Sequence, residues 1–215
     1  MSPLVSHALS EAGLLAVLEA RSTGNSRALE ALRPHVETVD WLLVGALADE
    51  VRLREIGGDV KVFANVAPDR HATCIDFSGT AADAGIAFLR RIALARIFGP
   101  PACRIRVSWD GLGIEIAQVA LAFGATELAG AIRFKDGELV AAESLLGHGR
   151  RSRLEPAHEV KRREIARFVT RAGRRALFAL VDGTFESYAG TALAAPLPES
   201  TIEPHDQTRR DALSP

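Results

Sequence analysis

The chain is poor in the residues that most often declare a chemistry. Its 215 residues include two cysteines, Cys74 and Cys103, well separated in sequence. Two such thiols exclude a disulfide scaffold and fit a reducing, cytoplasmic compartment. Neither sign of charge dominates: 26 Lys and Arg stand against 27 Asp and Glu, for a net charge of −1. That balance removes the global electrostatic reason to expect nucleic acid or an acidic membrane surface as partner. No apolar run reaches roughly 18 residues, so no membrane span is expected. The opening MSPLVSHALSEAG has neither a basic stretch nor a clean apolar core, and predicts no secretory signal. What is present is ordinary for a globular protein: 47% hydrophobic and 25% charged residues, in a length that suits one domain with appendages and can bury a core.

Along the chain, helical and strand patterns alternate. Residues 8–21 predict a short amphipathic helix. A further turn or two spans 26–33, and Pro34 interrupts it. Thr38 is placed to N-cap a stronger helix, with Val39, Leu42, Leu43, Ala46, Leu47 and Val51 at helical spacing. Gly57-Gly58 ends it, and 59–67 read as a buried strand; 68–79 read as irregular. The segment TAAD, residues 80–83, resembles a capping box that starts the next helix at Thr80, and Gly99-Pro100-Pro101 stops that helix. Strands follow at 104–109, 128–133 and 176–181, with helices at 113–123 and 157–172 and a tight turn at Asp136-Gly137. The organisation predicted is a helical segment (1–37), an α/β domain with parallel pairing (38–188) and a disordered tail (189–215) rich in Pro, Ala, Ser and charge.

The stretch RVSWDGLGIEIAQVALAFGATELAG, residues 106–130, carries the most chemistry. Ser108, Trp109 and Asp110 fall at the C-terminal end of a strand, where α/β folds place ligand contacts; packing of Trp109 on the next helix is the alternative. Gly111 and Gly113 precede a helix N-terminus, which can hold an anion or can simply be a tight turn. Ile116 stands where a dinucleotide fingerprint would need its third glycine. Glu115 and Gln118 share a helix face, where solvated or packing roles compete with contact to a ligand. His71 and Cys74 make only two potential metal ligands, and zinc takes four, or three plus water, so no metal site is predicted. Residues 150–175 hold ten Lys or Arg against three Glu. They could touch a polyanion or form a solvated face; no aromatic platform or nucleic-acid motif accompanies them.

Three blocks taken together resemble one family. DWLLVGALADEVRLREIGGDVKVFANV (40–66) looks like the entry helix and first barrel strand of the radical S-adenosylmethionine enzymes of menaquinone and deazaflavin biosynthesis. These include aminofutalosine synthase and dehypoxanthine futalosine cyclase. FLRRIALARIFGPPACRIRVSWDGLGIEIAQVALAFGATELAGAI (88–132) is similar to the late strands and helices of that barrel, through Trp109, Leu112-Gly113, Ala117-Gln118 and Phe123-Gly124-Ala125. REIARFVTRAGRRALFALVD (163–182) is similar to the closing helix and strand. The resemblance implies a (β/α) barrel, a substrate-facing role for Ser108 and Trp109, a family position at Gln118, and a 4Fe–4S cluster held by a CxxxCxxC motif after the first strand to bind S-adenosylmethionine.

The departures change that expectation. ANVAPDRHATCIDF occupies the place of the cluster motif and contains Cys74 alone; Cys103 cannot complete a triplet. A closed eight-stranded barrel takes about 250 residues, whereas about four strands are legible here. The family's acidic pair after Phe-Gly-Ala reads Thr126-Glu127. The expected fold is therefore a partial (β/α) barrel-like parallel sheet with flanking helices. The expected protein is a catalytically degenerate relative that binds a nucleoside-like ligand or pairs with an active enzyme, without cluster or S-adenosylmethionine on this chain. Ser108, Trp109, Gly113, Gln118 and Glu127 are the candidate ligand-binding residues. Self-association or a partner chain would cover the open sheet edges. An active cyclase- or synthase-like subunit with its cluster supplied by a partner, and a polyanion-binding module, are the alternatives.

Overall fold

A computed structural model describes residues 2–68, 73–141, 144–147 and 154–188. Its centre is a six-stranded sheet of β1 (Asp59–Ala64), β2 (Cys74–Phe77), β3 (Arg104–Ser108), β4 (Glu127–Gly130), β7 (Arg175–Ala179) and β8 (Phe185–Ser187). The spatial order is β2-β3-β4-β1-β7-β8. The first five strands in that order pair in parallel, and β8 closes one side antiparallel to β7. β5 (Leu145–Gly147) and β6 (Leu154–Pro156) form a separate antiparallel pair. The architecture is a mixed α/β fold with an open, mostly parallel sheet and flanking helices.

Strand alternation assigns the two faces of the sheet. Val60, Val62, Ile105, Val107, Leu128 and Phe178 are buried in one apolar cluster with the helices. Its helical members include residues of α4 (Trp41–Glu55), α5 (Ile86–Phe98), α6 (Ile114–Leu121) and α7 (Ala157–Arg171). The alternate positions Lys61, Phe63, Asp76, Arg106, Ser108, Glu127 and Ala129 turn to the opposite face, where Phe63, Ala129 and Ala179 make a second, small cluster. Arg96 of α5 shows how tightly the helix layer closes. It is fully buried and donates from Nε to the Gly124 carbonyl (3.0 Å) and from Nη1 to the Cys103 carbonyl (2.7 Å). Gly124, at φ +95°, passes so close that a Cβ there would lie 2.7 Å from Arg96 Cγ. Only glycine meets both the backbone and the space requirement.

The helical start of the chain is real but differently cut. The helix expected at 8–21 is two helices, α1 (Pro3–Glu11) and α2 (Leu15–Ser22), because Gly13 takes φ +69° and turns the chain between them. Pro34 does not interrupt the next helix: α3 runs Ser26–Thr38 straight through it. Proline removes one backbone donor there, but Leu29 and Val36 on either side are buried in the main core and hold the flanking turns. Thr38 is the end of α3, its hydroxyl donating to the His35 carbonyl, and the N-cap of α4 is Asp40, whose Oδ1 accepts from Leu42 N at 2.9 Å. Leu9, Leu14, Val17 and Val36 belong to the same core as the sheet.

Two other expectations shift. Residues 68–79 are not irregular throughout, since Cys74–Phe77 form edge strand β2. The capping box at Thr80 half-forms, with Asp83 Oδ2 accepting from Thr80 N (2.8 Å) and Oγ1 (2.9 Å), but it closes a turn; α5 begins at Ile86. The reading of a disordered tail concerns residues 189–215, which lie outside the described residues. Among the described residues no helix is long and apolar enough to cross a membrane.

Candidate functional site

Parallel strands bring their C-terminal ends to one rim, which is where open α/β sheets present loops to ligands. At that rim, beside the sheet face opposite the helices, lies a cleft of about 670 Å3 lined by Asn65, Asp76, Arg106, Ser108, Asp110 and Gly130, among others.

The polar floor, to which Asp76 and Arg106 contribute, rests on a row built by register. Asp76, Arg106, Glu127 and Lys61 are direct neighbours across β2, β3, β4 and β1. The row alternates in sign, and cross-strand opposite charges stabilise a sheet. Arg106 sits at its centre. Its Nε and Nη2 reach Glu127 Oε2 at 2.9 and 2.8 Å, its Nη1 reaches Asp76 Oδ1 at 3.2 Å, and its guanidinium lies 5.0 Å above the Phe63 ring. Glu127 is 1% exposed and Arg106 6%, so each charge depends on the other for the solvation that water would otherwise supply. Arg104 Nε adds a longer contact to Glu127 Oε1 at 3.5 Å.

The rim is fixed by turns. Asn65, immediately after β1, takes φ +58°, a conformation asparagine tolerates better than most residues. Its Oδ1 accepts from Ile132 N (2.7 Å) and its Nδ2 donates to the Val140 carbonyl (3.1 Å), which ties the end of β1 to the chain beyond β4. Ser108 Oγ accepts from Asp110 N at 3.2 Å, and Asp110 Oδ1 accepts from Ala131 N at 3.0 Å. Gly111, at φ +81°, approaches the Gly79 carbonyl so closely that a Cβ would stand 2.6 Å from it.

These facts place the five residues singled out from sequence. Ser108 lines the cleft, and Glu127 lies directly beneath it through Arg106. The other three do not line the cleft. Trp109 is buried in the helix-side core; its Nε1 donates to the Ala131 carbonyl at 3.0 Å and its indole packs over Gly130. Gly113 is the turn residue before α6, at φ +88°, with its N–H on the Trp109 carbonyl and the Glu115 carboxylate beside it. Gln118 is half-buried on α6. Sequence reading missed Asp76, Arg106 and Asn65. The available signals were an arginine alternating with Ile105 and Val107 on a strand, and an asparagine directly after a buried strand.

The cluster that the family resemblance implies does not fit these residues. The chain has two cysteines where three thiolates are needed. Burial pushes the Cys74 thiol up to about 11, against the pull of Arg106. Cys103 is fully buried in the main core against Arg96, and burial raises its thiol as well. His71 lies outside the described residues. Among the described residues there is no group of three His, Cys, Asp or Glu placed to hold a metal ion. In the basic stretch, Lys161, Arg162, Arg174 and Arg175 all pair with carboxylates: Glu164, Glu159 with Glu186, Asp49, and Asp59 respectively.

No protein-family model matches the chain, and no curated protein matches it.

Proposed function

We propose that the protein is a binding protein, a cluster-less relative of the barrel enzymes that residues 88–132 resemble, and that it holds a small nucleoside-like molecule in the cleft at the C-terminal rim. The observation that carries this reading is the cleft itself. It combines about 670 Å3 of space with an anchored Arg106, the Ser108 hydroxyl and the Asp76 and Asp110 carboxylates, the mixture of shape and convergent polar groups typical of small-molecule sites. The partial-barrel reading of the fold has support in the pairing of β7 with β1. A closed (β/α) barrel joins its last strand to its first in parallel, and the blocks compared with the closing and first barrel strands adjoin here in that way. With β2 and β8 each paired on one side only among the described residues, self-association or a partner chain would complete the assembly.

Isothermal titration of the full chain with adenosine tests the cleft. One site per chain is expected, abolished in Ser108→Phe, which fills the space without removing a buried charge. Absence of binding, or binding indifferent to Ser108→Phe, would defeat the reading. Anaerobic reconstitution with iron and sulfide is the companion experiment; no retained iron is expected, and stoichiometric iron with charge-transfer absorbance would overturn the cluster-less assignment. Sedimentation equilibrium at micromolar concentration is expected to show a dimer or larger species, and a clean monomer that recovers no partner in pull-down would remove the assembly part of the proposal.

A further inference from the structure

A second cavity, of about 570 Å3, adjoins the cleft. It lies at the C-terminal ends of β1 and β7 against the first turn of α7, and Leu139, Val140, Phe178, Leu180, His158 and Arg162 are among its lining. Asn65, Val66 and Ala131 line both cavities. The two spaces therefore meet across one short wall, and the Asn65 amide, bonded on both sides, holds that wall in place.

The two lobes differ in character. The cleft offers hydrogen-bond acceptors in Asp76, Asp110 and Ser108, and its cation, Arg106, is already engaged by Glu127 and Asp76. Among the described residues of the cleft, carboxylates outnumber cations two to one. Hydroxyl groups would find partners there, while a phosphate or carboxylate would meet like charge. The second cavity is walled mainly by aliphatic and aromatic carbon. Its Arg162 is nine-tenths buried, paired with Glu159 (3.0 Å) and Glu186 (3.2 Å), and laid 4.6 Å from the centre of the Phe178 ring. Two carboxylates on one guanidinium leave no positive excess to attract an anion. Burial, with Arg162 nearby, also holds His158 toward its neutral form.

We propose that the two cavities are lobes of one site, and that its ligand is an uncharged, hydroxylated ring carrying an apolar or aromatic substituent, with the hydroxyls in the cleft and the substituent in the second lobe. The inference rests on the cleft being a ligand site. It adds the subsite, the neutrality of the ligand and the residues that select for both.

Two matched pairs and one charged analogue test it by titration of the full chain: ribose against adenosine, glucose against phenyl β-glucoside, and adenosine against adenosine monophosphate. Burial of even part of an aromatic ring is worth about tenfold in affinity, so each ring-bearing probe is expected to bind at least about tenfold tighter than its sugar. The monophosphate is expected to bind more weakly than adenosine. Ala131→Leu, which thickens the shared wall, is expected to bring the adenosine-to-ribose ratio toward one. If its melting curve shows that this variant does not fold, Leu139→Asp on the exposed rim of the second lobe makes the same test. Equal affinities within both pairs, a ratio untouched by the folded variant, or tighter binding of the monophosphate would each overturn the inference and leave the cleft assignment standing. Failure of all five probes to bind would instead remove the cleft assignment, and this inference with it.

Discussion

Arg106 on β3 and Glu127 on β4 are register partners in parallel strands, their side chains joined at 2.8–2.9 Å and nearly closed to solvent. Arg106 lines the candidate site, and Glu127 holds it from beneath.

Removing one member of a buried ion pair strands the other charge, at a cost of about 3–5 kcal/mol. Glu127→Gln and Arg106→Gln are each expected to lower the urea-denaturation free energy toward the lower end of that range, because Asp76 still faces Arg106 and Arg104 still faces Glu127. The double variant should lose much less than the sum, because neither charge is then stranded. Losses under about 1 kcal/mol for the single variants would show a solvated pair that behaves like a surface salt bridge.

The same pair shows what was legible beforehand. Periodicity reveals α4, α5, α7, β1, β3 and β7, because each carries a run of apolar residues at one spacing. It misses β2, only four residues long with Asp76 in its middle; a carboxylate is acceptable in that strand because Arg106 lies next door in register, a tertiary fact. Glu127 was visible as a position in a family motif. Arg106 was not, because alternation tells which way an arginine points and not what covers it. Pro34 misled for a related reason: local propensity favoured a break, and burial of Leu29 and Val36 outweighed it.

Trp109 and Gly130 give a second prediction. A Cβ on Gly130 would stand 2.5 Å from Trp109 Nε1, the atom that donates to the Ala131 carbonyl. Gly130→Ala must push the indole aside, and such overpacking costs about 1–3 kcal/mol. Trp109→Phe loses the hydrogen bond, worth about 1 kcal/mol, but frees space over Gly130. The double variant is expected to be more stable than the two single losses imply. Strict additivity in chemical denaturation would mean that the two residues do not meet.

His158 makes stability depend on pH. Burial first, and Arg162 second, hold its folded pKa below the ordinary 6.5, with Glu159 pulling the other way. The unfolded chain therefore takes up this proton at a higher pH than the folded one. Its contribution is fully present above pH 6.5 and is lost as pH falls through the lowered folded value. Melting temperatures measured from about pH 8 down to about pH 5 should fall further in the wild type than in His158→Gln. Parallel curves would place His158 in solvent.

Cys74 supplies the last prediction, because its reactivity separates a core-like thiol from a ligand. Reactive cysteines are thiolates near neutral pH, and an ordinary thiol ionises near about 8.5. Burial carries the Cys74 thiol to about 11, with Glu127 and Asp76 adding to the rise while Arg106 and Arg104 oppose it. Cys103 is closed to solvent altogether. Iodoacetamide at neutral pH should therefore label Cys74 slowly and Cys103 only in urea, as read by mass spectrometry of the digested protein. The Cys74 rate should keep rising through about pH 9–10, where an unperturbed thiol would already level off. Rapid labelling of Cys74 at pH 7 would instead reveal a stabilised thiolate. The two arginines would then outweigh burial, and Cys74 would have the thiolate character of a nucleophile or metal ligand.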